Sequence, residues 1–164
     1  MSETPLAPSP DFLQLMLSDG AGGFTPFAGA LDGLSAEDAV RKPEGSPHSV
    51  ADVLAHMVFW QERFLRMVDG EEPTPVAHAS DGWPSVTAEE WPDLVRCYLA
   101  GLERYRALAR DADALARPLV KGRDRSVGAG VASYFVHEAH HLGQVILLRR
   151  MLGAWPPPGG GDTW

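Results

Sequence analysis

The stretch His137-Glu138-Ala139-His140-His141-Leu142-Gly143-Gln144 places two histidines four residues apart. On a helix that spacing sets both rings on one face with Cβ atoms ~5–6 Å apart, which lets two imidazoles reach one metal ion. The same face carries Tyr134, Gln144, Val145 and Leu148, so it reads as the inward face of its helix. Two imidazoles buried together without a metal need other partners for their nitrogens, and charging both is costly. A third imidazole is available from His56, three residues after Val53 and four before Trp60, at the edge of an apolar helical face. Three imidazoles without a fourth protein ligand describe a site that keeps coordination positions open for water or substrate. Neutral imidazole suits zinc, nickel, iron and copper alike, so the donors do not choose the metal.

A bland reading competes with this one. A histidine pair four apart is common on helices, and a lone, partly buried histidine with one hydrogen bond is ordinary; the three together on inward faces are what favour a metal. His140 lies one residue off the stripe, where a surface or interface position is favoured over a role as a spare ligand or a support for the ligand rings. His48 and His78 fall in loops and read as solvated. Cys97 flanks an apolar stripe and reads as a small core residue, not a nucleophile. Glu62 and Glu138 fall off the histidine face, which leaves neither placed as a general base. No catalytic residue is expected beyond the metal ligands.

The elements that must position these residues are helical. A first segment, about Asp11 to Leu34, carries Phe12, Leu15, Met16, Phe27, Leu31 and Leu34 but is interrupted by Gly20, Gly22, Gly23 and Pro26. Interior glycine costs ~1 kcal/mol and proline more, so a kink or break near Pro26 is expected, followed by a short capped turn at Ser35-Ala36-Glu37-Asp38. A second segment runs from Ser49, a suitable N-cap with Asp52 three residues on, to about Val68. A third opens on the capping-box pattern Thr87-Ala88-Glu89-Glu90 and continues with Trp91, Leu94, Val95, Tyr98, Leu102, Tyr105 and Leu108. Gly101 within that stripe marks a close approach of a neighbouring helix. A fourth, from about Ser126 to Leu152, is apolar nearly all round, as befits a central helix or one covered by a second subunit. Arg149, Arg150 and Gly153 suit its end. Four such helices predict an all-α four-helix bundle. Period-2 alternation and internal repeats are absent.

Composition narrows the class. A chain of 164 residues suits one domain over 1–164, with a loose tail at 1–10 and a Pro/Gly-rich one at 154–164. Apolar residues make up 45% and charged residues 22%, and the net charge is -8. A nucleic-acid binder needs a basic face to neutralise phosphates, so that class is set aside. No stretch approaches the ~20 apolar residues that span a bilayer. The lone Cys97 forms no internal disulfide and excludes a cysteine-rich zinc site. The opening MSETPLAPSPDF lacks the basic start and apolar run of a signal peptide. The expectation is a cytoplasmic protein with no membrane partner.

The helix around LAHMVFWQERF, followed some eighty residues later by HEAHHLGQVILLRRMLG, resembles the DinB/YfiT-like superfamily of metalloenzymes, a damage-inducible bundle family distinct from the similarly named DNA polymerase. The resemblance runs from Phe12 to the tail WPPPGGGDTW. It implies an up-down-down-up bundle, a divalent transition metal, with zinc and nickel foremost, held by His56, His137 and His141, and a homodimer. Characterised relatives include transferases that use low-molecular-weight thiols such as bacillithiol, mycothiol or glutathione, and a mycothiol-dependent maleylpyruvate isomerase. The resemblance therefore implies a thiol S-transferase in which the metal lowers the pKa of a cosubstrate thiol for attack on a small electrophile. Asp52, Ser133, Tyr134 and Gln144 are the candidates to orient the ligand rings. The alternatives are a metal-binding stress protein without turnover, and a dimeric bundle whose metal is structural.

Overall fold

Small polar residues start nearly every helix. The computed structural model describes residues 8–18, 25–121 and 124–160. Ser9 caps α1 (Pro10–Leu17), with Pro10 in its first turn, where a missing N–H costs nothing. Ser35 caps the short α2 (Ala36–Val40). Ser49 and Asp52 close a full capping box on α3 (Val50–Val68), the reciprocal pairing that satisfies two orphan N–H groups. Then come α4 (Trp91–Leu108), α5 (Ala112–Ala116), capped by Asp111, and α6 (Val127–Met151), capped by Ser126. Among the described residues there are helices and no strands, and no helix is long and apolar enough to cross a membrane.

Two expectations shift. The first helix is short: α1 stops at Leu17, Ser18 leaves in extended backbone, and among the described residues the next helical geometry is a 3₁₀ turn at Gly29–Leu31. The break falls before Pro26, and Gly20, Gly22 and Gly23 lie outside the described residues. At the third segment, Glu90 does accept from the Thr87 N–H (2.8 Å), but the helix itself begins at Trp91, with Pro92 in its first turn. Proline favours that position and resists a helix that starts earlier.

Two apolar clusters form the core. One gathers Val50, Leu54 and Met57 of α3, Tyr98 and Leu102 of α4, and Leu142, Val145 and Leu148 of α6. The other gathers Leu13 and Leu17, Phe64 and Leu65, Tyr105, Leu115, and Val127, Val131 and Tyr134. Each fully buried Leu or Met contributes ~1.5–3 kcal/mol. The early parts of α3 and α4 share one cluster and their later parts the other, so these helices run parallel, while α6 passes the clusters in reverse order. A parallel pair needs a connection that travels back along the bundle, and residues 69–90 provide it. Between the clusters lies a buried polar belt: His56 and Gln61 on α3, Glu138 and His141 on α6.

Arg149, read from sequence as a helix-end charge, is instead buried. It donates to the carbonyls of Ala30 (2.7 Å) and Ala154 (3.0 Å) and lies 5.4 Å from the Trp155 ring centroid. It thereby ties the 3₁₀ turn and the C-terminal segment to α6.

Gly101 is a close approach, as its place in the stripe implied: a Cβ there would collide with the Gln61 amide. Gln61 is itself fixed by bonds to the Tyr98 carbonyl (3.2 Å) and the Tyr134 hydroxyl (3.0 Å). Overpacking costs ~1–3 kcal/mol and each displaced hydrogen bond about 1, against ~1 gained in helix propensity. Gly101→Ala is therefore expected to destabilise the fold by ~1–3 kcal/mol, read as a lower denaturation midpoint at constant m-value. An unchanged midpoint would refute the close packing.

Candidate metal centre

His56 sits two turns into α3, and His137 and His141 stand one turn apart on α6, which passes α3 in the opposite sense. The histidine spacing read from sequence thus meets across the helix pair. His137 Nε2 lies 3.2 Å from His56 Nε2 and 3.1 Å from His141 Nε2, and one ligand atom from each ring lies within 4.8 Å of the others.

The outer nitrogens of two rings are already committed. His56 Nδ1 donates to the Gly82 carbonyl at 2.7 Å, and His141 Nδ1 donates to Gln144 Oε1 at 2.6 Å. Each Nε2 is then left as a lone pair facing inward, the tautomer that metal ligation requires. A hydrogen on His137 Nε2 satisfies only one of its two close neighbours well, so protons alone leave lone pairs facing each other. A metal resolves this: at Zn–N ≈ 2.0–2.1 Å, two nitrogens of a tetrahedral site stand about 3.3 Å apart, close to the separations seen here. The donor set fits a divalent transition metal bound by three neutral imidazoles.

Trp83 forms a wall of this centre. Its ring stacks on His56 at 4.0 Å, meets His141 edge-on at 6.1 Å, and on its other face stacks on His48 at 4.1 Å. Gly82 ends the 3₁₀ turn Ala79–Gly82 in the connection between α3 and α4, and Trp83 follows it. Burial of the belt holds His56 and His141 neutral. Desolvation is the main cause for each, aided by the neighbouring imidazoles; it lowers His56 and brings His141 to about 4. His137 is more open, with a third of its side chain exposed.

The other sequence candidates divide. Gln144 orients His141 as expected, and its Nε2 also reaches toward His140 at 3.4 Å, a residue exposed on α6. Tyr134 is buried in the belt, bonded by Gln61 and stacked on Tyr105 at 3.9 Å. Asp52 is spent on the α3 cap and an ion pair with Lys42, and Ser133 is exposed. Cys97, expected in the core, is exposed, and so is Glu62. His48, expected in solvent, is half-buried against Trp83; His78 is exposed.

Glu138 is the main correction. Read as off the site, it is almost fully buried, with Oε1 3.6 Å from His137 Nδ1. The sequence reading set it off the histidine stripe, yet it stands four residues after Tyr134 and three before His141, on the buried face of α6. Gly82, Trp83 and Gln61 were missed as well. Gln61 follows the Val53–Met57–Phe64 face closely enough to be found as a polar residue in an apolar stripe, whereas Asp-Gly-Trp-Pro shows only a turn.

The family model of the DinB superfamily matches residues 26–145, which include all three histidines. No curated protein and no solved structure matches the chain.

The lowered imidazoles give a signed pH dependence. Below about 6.5 the unfolded chain protonates these rings while the folded chain resists until lower pH, so the unfolded state binds more protons and stability rises with pH. Metal-free protein is expected to lose stability as pH falls from about 6.5 toward 4, measured by urea unfolding across that range. The His56→Ala/His141→Ala variant should show a flatter profile; equal slopes would contradict the buried, neutral rings.

Proposed function

The chain belongs to the DinB superfamily, and from that premise we propose that it is a metal-dependent thiol S-transferase with His56, His137 and His141 as its ligands. The observation that carries the reading is the convergence of three Nε2 atoms whose opposite nitrogens, in His56 and His141, are already bonded outward. A metal bound there supplies a Lewis acid that lowers the pKa of a thiol sulfur, so that a nucleophile exists at neutral pH.

The chain's own residues do the rest. Gly82 and Gln144 hold two rings in the ligating tautomer, and Trp83 shields one side of the centre from water. Partial exposure of His137 leaves an approach for a small thiol and an electrophile, which favours an open site over a closed structural one. The nucleophile comes from the cosubstrate, in keeping with Cys97 standing exposed on α4.

A second copy of the chain is the proposed protein partner. Val136, His140, Gly143, Leu147 and Met151 recur along one face of α6, and Val136 and Leu147 are more than half exposed. An apolar stripe of this length on a helix is the kind of surface that association covers. Light scattering after gel filtration is expected to give twice the chain mass of 17.7 kDa, reduced to one chain by Leu147→Glu. A wild-type monomer would refute the dimer.

Turnover tests the activity. Zinc- or nickel-loaded protein is expected to accelerate conjugation of glutathione, mycothiol or bacillithiol to an activated aryl halide. His56→Ala should lower the rate at least ~100-fold, the scale on which loss of a metal-activated nucleophile is felt. A wild-type rate equal to that of His56→Ala for all three thiols would refute the transferase.

A further inference from the structure

A carboxylate with no hydrogen bond lies directly behind the centre. Glu138 is 1% exposed, and neither of its oxygens has a hydrogen-bond partner. The His137 Nδ1 that it faces at 3.6 Å is likewise buried and unbonded. Tyr98, Tyr105 and Tyr134 surround the carboxylate, and the Tyr98 and Tyr105 hydroxyls also lack partners. A carboxylate in such surroundings is costly to keep, and Gln or Leu at position 138 would fill the same space without that cost.

The three ligand rings differ in one respect. The outer nitrogen of His56 has the Gly82 carbonyl, and that of His141 has Gln144 Oε1. His137 alone has no bonded partner, and the group that faces its outer nitrogen is Glu138. A shift of under about 1 Å brings the pair to charge-assisted hydrogen-bond length. The carboxylate stands on the Nδ1 side of the ring, away from the converging Nε2 atoms, and is not among the groups that share a point with them. That position suits a partner of the ligand and not a fourth ligand.

We propose that Glu138 is a positioning residue of the metal centre: its carboxylate accepts the His137 Nδ1–H, turns Nε2 toward the ion, and supplies one negative charge against it. The inference rests on the three-histidine metal reading. Carboxylate–histidine–metal arrangements raise ligand basicity and fix the ring, and loss of the outer partner commonly weakens binding ~10–100-fold.

The test is Zn²⁺ affinity at neutral pH, by competition with a chromophoric chelator, for wild type, Glu138→Gln and Glu138→Asp, beside melting of the metal-free proteins. Glu138→Gln is expected to bind zinc ~10–100-fold more weakly while its metal-free form melts no lower than wild type. Glu138→Asp, which keeps the charge at shorter reach, should fall between. In the zinc-loaded wild type, the His137 Nδ1–H proton resonance should lie far downfield and move upfield in Glu138→Gln, a signal that a merely structural role would leave in place. Zinc affinity within twofold of wild type in Glu138→Gln, or a lowered metal-free melting temperature with affinity intact, would overturn the positioning role alone. Wild-type protein that takes up no zinc would overturn the metal reading, and this inference with it.

Discussion

Imidazole nitrogens cannot be buried without partners, and that requirement organises the middle of this bundle. Three rings come together between two apolar clusters, where water is scarce and an unpaired donor or acceptor is expensive. Two of them send their N–H outward, to the Gly82 carbonyl and to Gln144. What remains is a set of inward lone pairs separated by little more than 3 Å. Protons satisfy such a set poorly, and a divalent cation satisfies it well. The surrounding apolar side chains sharpen the preference, because desolvation keeps His56 and His141 in the neutral form that binds metal.

The helix arrangement serves that geometry. Because α6 passes α3 in the opposite sense, a histidine two turns into α3 meets a pair near the middle of α6. Because α3 and α4 run parallel, residues 69–90 must travel back along the bundle, and on the way they deliver the Gly82 carbonyl and the Trp83 ring to His56. Gln61 and Gly101 bring α4 close beside the belt. The same belt carries Tyr98, Tyr105, Tyr134 and Glu138, a polar layer in an apolar bundle that makes structural sense as support for a charged centre.

Much of this was legible in the residues because it depends on local rules. Ser49 with Asp52, Ser35 and Ser126 announce helix starts through side-chain bonds only three residues long, and the structure has helices there. The spacing of His137 and His141 reports a shared face whatever surrounds it, and Gln144 lies one turn on from the same face. What the sequence did not show depends on the path of the chain between helices. Nothing in Asp-Gly-Trp-Pro says that a backbone carbonyl and an indole will return to a helix begun thirty-odd residues earlier. The reading of α6 also erred at two charged residues: Glu138 and Arg149 both stand on its buried face with Tyr134, Leu142 and Val145, where Glu138 faces His137 and Arg149 reaches two backbone carbonyls. The early end of α1 reflects competition between glycine-rich backbone entropy and apolar periodicity, which periodicity alone does not decide.

The central claim is that three imidazoles of one chain hold one metal ion. Metal content per chain, determined by mass spectrometry on untagged protein purified without chelator, tests it most directly, with wild type beside His137→Ala/His141→Ala. About one equivalent of zinc, nickel or a similar divalent ion in wild type, absent from the double variant, is the result this account predicts. Wild-type protein free of metal even after zinc and nickel are added back would contradict it.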